Sequence, residues 1–179
     1  MSKPKDIQSH SLPGNILENL QASKLEDFMC DFTVKAGESR LKVHKLVLAS
    51  CSEYFRAMFS NDTIETRQNF VDIKDIEPEI VELVIQFIYS SRIRLTGENV
   101  EQFFMAASKM QIKDLLDNCV YYVSSTDNLS RALGLFNIAV LCQHQSSIRE
   151  LMEYCQTRFK QIYRNENFVN LCVEALRES

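Results

Sequence analysis

The sequence predicts an α+β domain, a small β-sheet flanked by helices, continued by an all-helical segment. Three observations carry that expectation. Between Cys30 and Val43, apolar and polar residues alternate around a reversal containing Gly37, which is the period of a β-hairpin. From Leu46 the spacing becomes helical, and a second helical run opens at Glu77-Pro78. Beyond the polar junction at 124–128 the pattern is helical throughout.

Residues 1–13 are polar and broken by Pro4 and Pro13, so a loose, flexible start is expected. A short helix follows over 14–24, with Ile16, Leu17 and Leu20 in a stripe and Leu25 less strictly placed. Such a helix is too short to be stable alone, so its stripe must dock, on its own domain or on a second copy. In the hairpin, Phe32, Val34 and Ala36 share one face, and Leu41 and Val43 lie on the partner strand. One helix is predicted over about 45–59, carrying Leu46, Val47 and Ala49, then Tyr54, Phe55, Met58 and Phe59. The polar stretch that follows reads as a surface connection, and Phe70, Val71 and Ile73 as a third short strand. Pro78 sits at a first helical position, where its missing N–H is harmless. Ile80, Val81, Val84, Ile85, Phe87 and Ile88 continue that helix. Arg92-Ile93-Arg94-Leu95 is a short strand or an extended link. Thr96 is an N-cap for the helix bearing Val100, Phe103, Phe104, Ala106 and Ala107. The next helix, about 112–123, turns Leu115, Leu116, Cys119 and Val120 inward. The α+β domain is expected to end near Ser125, with helices at about 128–142, 146–162 and 167–176.

The composition narrows the function. A chain of 179 residues, 45% of them hydrophobic and 25% charged, supports one ordinary domain with a helical appendage. A net charge of −4 gives no attraction to a phosphate backbone, so no nucleic-acid partner is expected. No apolar run reaches the roughly 18–20 residues of a membrane span, and the first ten residues lack a signal-peptide core. A cytoplasmic location is expected, with the nucleus also compatible. The cysteines, at 30, 51, 119, 142, 155 and 172, form no C-x-x-C pair and read as reduced core residues, so thermal melts with and without reductant should coincide. His10, His44 and His144 are too scattered to build a metal site with them, and no cofactor is expected. Asn61-Asp62-Thr63 matches a sugar-acceptor sequon but is expected to be unused. Ser50, Cys51 and Ser52 lie near His44, yet no nucleophile elbow and no glycine-rich phosphate loop accompanies them, so no enzyme is predicted.

The run from Cys30 to Phe59 contains C-D before the first strand, V-H-K-L-V-L-A at the strand-to-helix junction, and S-E-Y-F-R-A-M-F after it. Together these resemble the signature of the BTB (POZ) domain, a dimerisation and docking fold, here over 14–125. The helical part, 126–179, resembles the first helices of the BACK domain that follows BTB in Kelch-like proteins, through Leu133-Gly134-Leu135, Ala139 and N-E-N-F near Phe168. Cys142 and His144 depart from that pattern.

The resemblance implies a set of sites. The 14–24 helix, with Ile16, Leu17 and Leu20, would pack across a twofold homodimer interface. Asp31 and Lys45 would form a partly buried charged pair near the dimer groove. In Kelch-like BTB proteins a hydrophobic-x-Glu motif engages the N-terminal domain of cullin-3, and it falls here on Thr63-Ile64-Glu65. Glu65 is retained, while Thr63 replaces the apolar residue. Ile64 either substitutes for it or faces its own domain. Tyr54, Ala57 and Met58 would floor that surface, and Leu141 and His144 would lie in a second groove for the cullin's N-terminal segment. The implied function is the cullin-docking, non-catalytic part of a ubiquitin-ligase adaptor, with its protein substrate held by a region outside this chain. The alternatives are a BTB scaffold without productive cullin binding, a transcription-regulator BTB, a tetramerising channel-type domain, and an unrecognised enzyme.

Overall fold

Alternation around Gly37 folds into an antiparallel pair, β1 (Phe32–Ala36) and β2 (Ser39–Val43), in the register Phe32 to Val43, Val34 to Leu41 and Ala36 to Ser39. Gly37 adopts φ +57°, a left-handed turn, and a Cβ there would lie 3.0 Å from the Pro78 ring, so glycine is favoured on both counts. The computed structural model describes residues 11–126 and 128–158. Its third strand, β3 (Phe70–Asp72), runs parallel to β1, giving the order β2-β1-β3. A parallel return needs a crossover, and three short helices supply it.

These are α2 (Lys45–Cys51), α3 (Glu53–Ser60) and α4 (Ile64–Gln68). The single helix expected over 45–59 is broken at Ser52, which takes an extended backbone (φ −140°, ψ 120°). The reason is a buried hydrogen-bond exchange: the Ser52 hydroxyl donates to the Met110 carbonyl at 2.5 Å and accepts from the Phe55 amide at 3.1 Å. Ser52 thus caps α3 and ties it to the turn at Met110. The connection after α3 is likewise not plain loop, since α4 occupies it.

Proline opens α5 (Pro78–Ser90), whose Ile80, Val81, Val84, Ile85, Phe87, Ile88 and Tyr89 are buried. Arg92 to Leu95 is an extended link outside the sheet. The helix after it, α6 (Val100–Lys109), is preceded by Asn99 rather than Thr96. Thr96 instead starts a turn, its amide donating to Asn99 Oδ1 at 2.7 Å. The core is completed by α7 (Lys113–Ser125), α8 (Leu129–Leu141) and α9 (Gln145–Thr157). Leu135, Phe136, Ala139 and Leu151 join the same apolar cluster as Val34, Leu48 and Val84, so packing is continuous across the polar junction near 125. The Arg131 guanidinium occupies the space a Cβ on Gly97 would need, so the Arg131 side chain of α8 lies against the turn before α6.

The amino-terminal helix, α1 (Leu12–Leu25), starts earlier than the expected 14, with Pro13 in its first turn. It lies against α5, with Leu20 packed on the core and no residue fully buried. Residues 1–10, the helix expected at 167–176 and Cys172 lie outside the described residues. The five described cysteines are free: Cys119 is buried, Cys30, Cys142 and Cys155 are half-buried, and Cys51 is exposed at the end of α2, so it is not the core residue expected.

Candidate functional site

Two surfaces gather the residues singled out in the sequence. The first joins α3 to α4. Thr63 is the N-cap of α4, its hydroxyl accepting from the Thr66 amide at 3.2 Å, while the Thr66 hydroxyl donates to the Met58 carbonyl at 2.9 Å. Asp62 and Arg67 span the same turn, the guanidinium Nε donating to Oδ1 at 2.8 Å. That contact holds the Asp62 carboxyl below the ordinary aspartate range. Glu65 is half-buried in the first turn of α4. Burial pushes the Tyr54 phenol up, and the negative charge of Glu65 adds to the effect. Ile64 is 68% exposed and faces solvent rather than its own domain. Ala57 is exposed, but Met58 is only 8% exposed and packs in the core, so it does not floor this surface as expected.

The second surface is the α1 side. Ile16 is exposed, Leu17 and Leu20 are half-buried, and Leu12 and Leu25 are exposed beside them. The loop leaving α1 adds Phe28 at 60% and Met29 at 75% exposure, and Leu46 is exposed at the start of α2. Asp27 and Met29 both adopt left-handed backbone (φ +56° and +57°), which aspartate tolerates but which is uncommon for methionine, so contacts that hold the loop matter. The Phe28 amide donates to the Ser23 carbonyl at 2.8 Å, and Lys42 pairs with Asp27 at 2.6 Å.

His44 completes that anchoring. Its backbone N–H donates to the Tyr89 hydroxyl at 2.9 Å, and the hydroxyl lies 2.9 Å from Nδ1. The phenol proton then goes to Nδ1, which puts the ring proton on Nε2, where it is donated to the Phe28 carbonyl at 2.9 Å. Cys30 Sγ lies 3.8 Å from Nε2, but burial and Asp27 push its thiol up, the opposite of an activated nucleophile. This histidine is a structural clamp.

Asp31 and Lys45 meet differently from the expected pair. Asp31 Oδ1 accepts from the Lys45 backbone N–H at 2.8 Å, at the N-terminus of α2, and the Lys45 ammonium reaches Asn69 Oδ1 at 2.8 Å and lies over the Phe32 ring. The carboxylate serves the helix end, where a negative charge is favoured, instead of the ammonium. Asp31 is exposed, so the arrangement is not a buried ion pair.

At the α8–α9 turn, Leu141 is 79% exposed, while His144 is half-buried with its ring edge against Phe104 and Nδ1 2.8 Å from the Ser147 hydroxyl. Leu141 is available to a partner; His144 is engaged within the fold. Among the described residues, no group of three or more His, Cys, Asp or Glu could hold a metal ion, and no helix is long and apolar enough to cross a membrane.

The sheet, its helical crossover and the flanking helices coincide with a known family, whose BTB/POZ domain model matches residues 20–127. The chain belongs to the BTB/POZ domain family. Over 171 residues it is 32% identical to Kelch-like protein 40a of Danio rerio, covering 96% of this chain and 27% of that protein. It is 27% identical over 161 residues to Kelch-like protein 3 of Homo sapiens, covering 90% of this chain and 27% of the relative. The chain therefore spans about a quarter of the length of these curated relatives, 27% in each case. The solved BTB domain of zebrafish PATZ1 superposes with a TM-score of 0.61 at 24% identity, covering 68% of this chain and 99% of that one, and shows the fold. BTB/POZ membership and the Kelch-like relatives support a protein-interaction adaptor role.

Proposed function

We propose that this BTB/POZ chain is the homodimeric, non-catalytic adaptor portion of a cullin-3 ubiquitin ligase, with residues 14–125 as the BTB unit and 126–179 as the start of a BACK domain. The observation that carries the reading is the α3–α4 turn. It presents the half-buried Glu65 and the exposed Ile64 on a short helix pinned by Thr63, Thr66 and the Asp62–Arg67 pair. Such a turn is pre-organised, so little ordering entropy opposes docking. Ile64 takes the apolar role that Thr63, engaged as a cap, does not fill. The α1 side supplies the dimer contact through Ile16, Leu17 and Leu20. Leu141 is the exposed candidate for the second cullin contact. The mechanism is positional: the dimer fixes two cullins relative to a substrate held elsewhere in the protein, in the cytoplasm.

Calorimetry with the cullin-3 N-terminal domain tests this. Charge-assisted hydrogen bonds contribute about 1.5–3 kcal/mol, so Glu65→Ala should weaken binding roughly ten- to hundredfold. Binding indifferent to Glu65 would place the interface elsewhere. The second reading is a BTB scaffold without productive cullin affinity, favoured by the commitment of Thr63 to its cap. It predicts no heat with the unmodified chain.

A further inference from the structure

A shallow groove of about 190 Å³ lies between α6 and the link 73–77 that leads into α5. Ile80 and Ala106 are buried at its floor, Ile76 is half-buried on one bank, and Met105 stands on the other at 52% exposure. By their spacing Gln102, Met105 and Lys109 share one face of α6, and Met105 is the apolar member of that face. Its neighbours Phe103, Phe104, Ala106 and Ala107 are all buried. The groove is pre-formed, because the Lys109 ammonium donates to Asp75 Oδ2 at 2.6 Å and ties the link to α6. That contact also occupies the ammonium. Glu77 lines the groove and Glu79 follows in the first turn of α5. Both are exposed, and neither forms an ion pair among the described residues. Asp75, Glu77 and Glu79 outnumber Lys74 and Lys109, so the rim is negative.

We infer that this groove binds a cationic segment of a partner protein in which one aromatic residue lies between two arginines. The ring covers Ile76, Met105 and the apolar floor, removing them from water, and gains a sulfur contact from Met105. The arginines meet Glu77 and Glu79, since a planar guanidinium matches a carboxylate with paired hydrogen bonds. A second copy of this chain is the competing occupant. In a twofold contact the patch would face itself, setting Glu77 and Glu79 against their own counterparts, and like charge opposes that pairing. The surface shares no residue with the α3–α4 turn or with the α1 side, and the inference does not rest on cullin docking.

A fluorescein-labelled peptide with Arg-Phe-Arg at its centre, titrated into the full chain by anisotropy, tests the assignment. Saturable binding is expected, weakening with salt and falling about tenfold or more in Glu77→Gln/Glu79→Gln. Met105→Ala should weaken it as well, with thermal melts confirming that the variants fold. An Arg-Ala-Arg peptide that binds equally well would leave charge attraction alone, and a Glu-Phe-Glu peptide that does so would remove charge from the account. Either result overturns the inference. Methionine methyl NMR locates the contact: the Met105 signal should shift on peptide addition, while those of Met29 on the α1 side and of the buried Met58 and Met110 hold still. A peptide that moves Met29 and spares Met105 would put the contact elsewhere and overturn the inference. A Met105 signal that moves on dilution without peptide would assign the groove to a second copy, with the same consequence.

Discussion

On the α1 side, Ile16, Phe28, Met29 and Leu46 stand in solvent above a loop clamped by His44 and Tyr89, whereas at the α3–α4 turn Phe55 and Met58 are buried and Tyr54, Glu65 and a network of hydroxyl caps face outward. The two surfaces therefore differ in what covering them gains. Removing apolar area from water is worth about 25 cal/mol per Å², so the α1 side favours a lasting cover. The turn exposes one large apolar side chain, Ile64, so its affinity would depend more on directed bonds to a pre-formed shape, which suits a partner that comes and goes. Under the proposed function, a second copy would cover the first surface and a cullin would dock at the second. Substitutions that act on one surface and spare the other test that division.

The largest effect is expected from Leu17→Asp. Burying a leucine contributes about 1.5–3 kcal/mol, and in a twofold interface the change occurs twice, so self-association should weaken a hundredfold or more. Light scattering across a dilution series would read it, and cullin binding per protomer should persist. An unchanged dimer would remove the α1 side from the interface.

A smaller effect is expected at the clamp. Tyr89→Phe removes the acceptor of the His44 amide and the donor to Nδ1, leaving half-buried polar groups unmet at about 1 kcal/mol. Burial pushes the Tyr89 phenol up, from 10.0 to about 12, despite the opposing hydrogen bond from the His44 amide. Because the folded value is the higher one, this contribution is fully present below pH about 10 and is lost as pH rises toward about 12. Urea unfolding from pH 8 upward should show stability falling above pH about 10, with a shallower fall in the phenylalanine variant. The variant should also weaken the dimer, since Phe28 loses its anchor, and leave binding at the α3–α4 turn unchanged.

Much of this architecture was legible because it depends on period. The alternation through Val34 and Leu41 and the stripe from Ile80 to Ile88 each specify one buried face, and the structure uses those faces. What escaped depends on partners distant in sequence. Ser52 breaks a helix only because the Met110 carbonyl, 58 positions away, accepts its proton. His44 finds its ring partner 45 positions on, at Tyr89. The resemblance pairs Asp31 with the Lys45 ammonium, whereas Asp31 accepts from the Lys45 backbone amide, a partner that sequence cannot place. The exposure of Phe28, Met29 and Leu46 was hidden for the opposite reason, since apolar residues beside apolar runs read as core. At the α3–α4 turn, Thr63 looked like a missing apolar contact, although its place before Ile64-Glu65-Thr66 is also the pattern of a cap.

That double identity gives the smallest and most discriminating prediction. Replacing Thr63 by leucine restores the apolar residue of the family motif and could add about 1 kcal/mol if a partner buries it. It also removes the hydroxyl that accepts the Thr66 amide, and loss of an N-cap costs about 1 kcal/mol of helix stability. The two terms nearly offset, so cullin affinity of Thr63→Leu should stay within a few-fold of the unmodified chain while its thermal midpoint falls. Thr63→Ser keeps the hydroxyl and loses only a methyl group, so both quantities should hardly move. If leucine instead tightens binding well beyond a few-fold with no loss of stability, the cap is dispensable and the turn is a second apolar surface. The contrast with the α1 side would then fail.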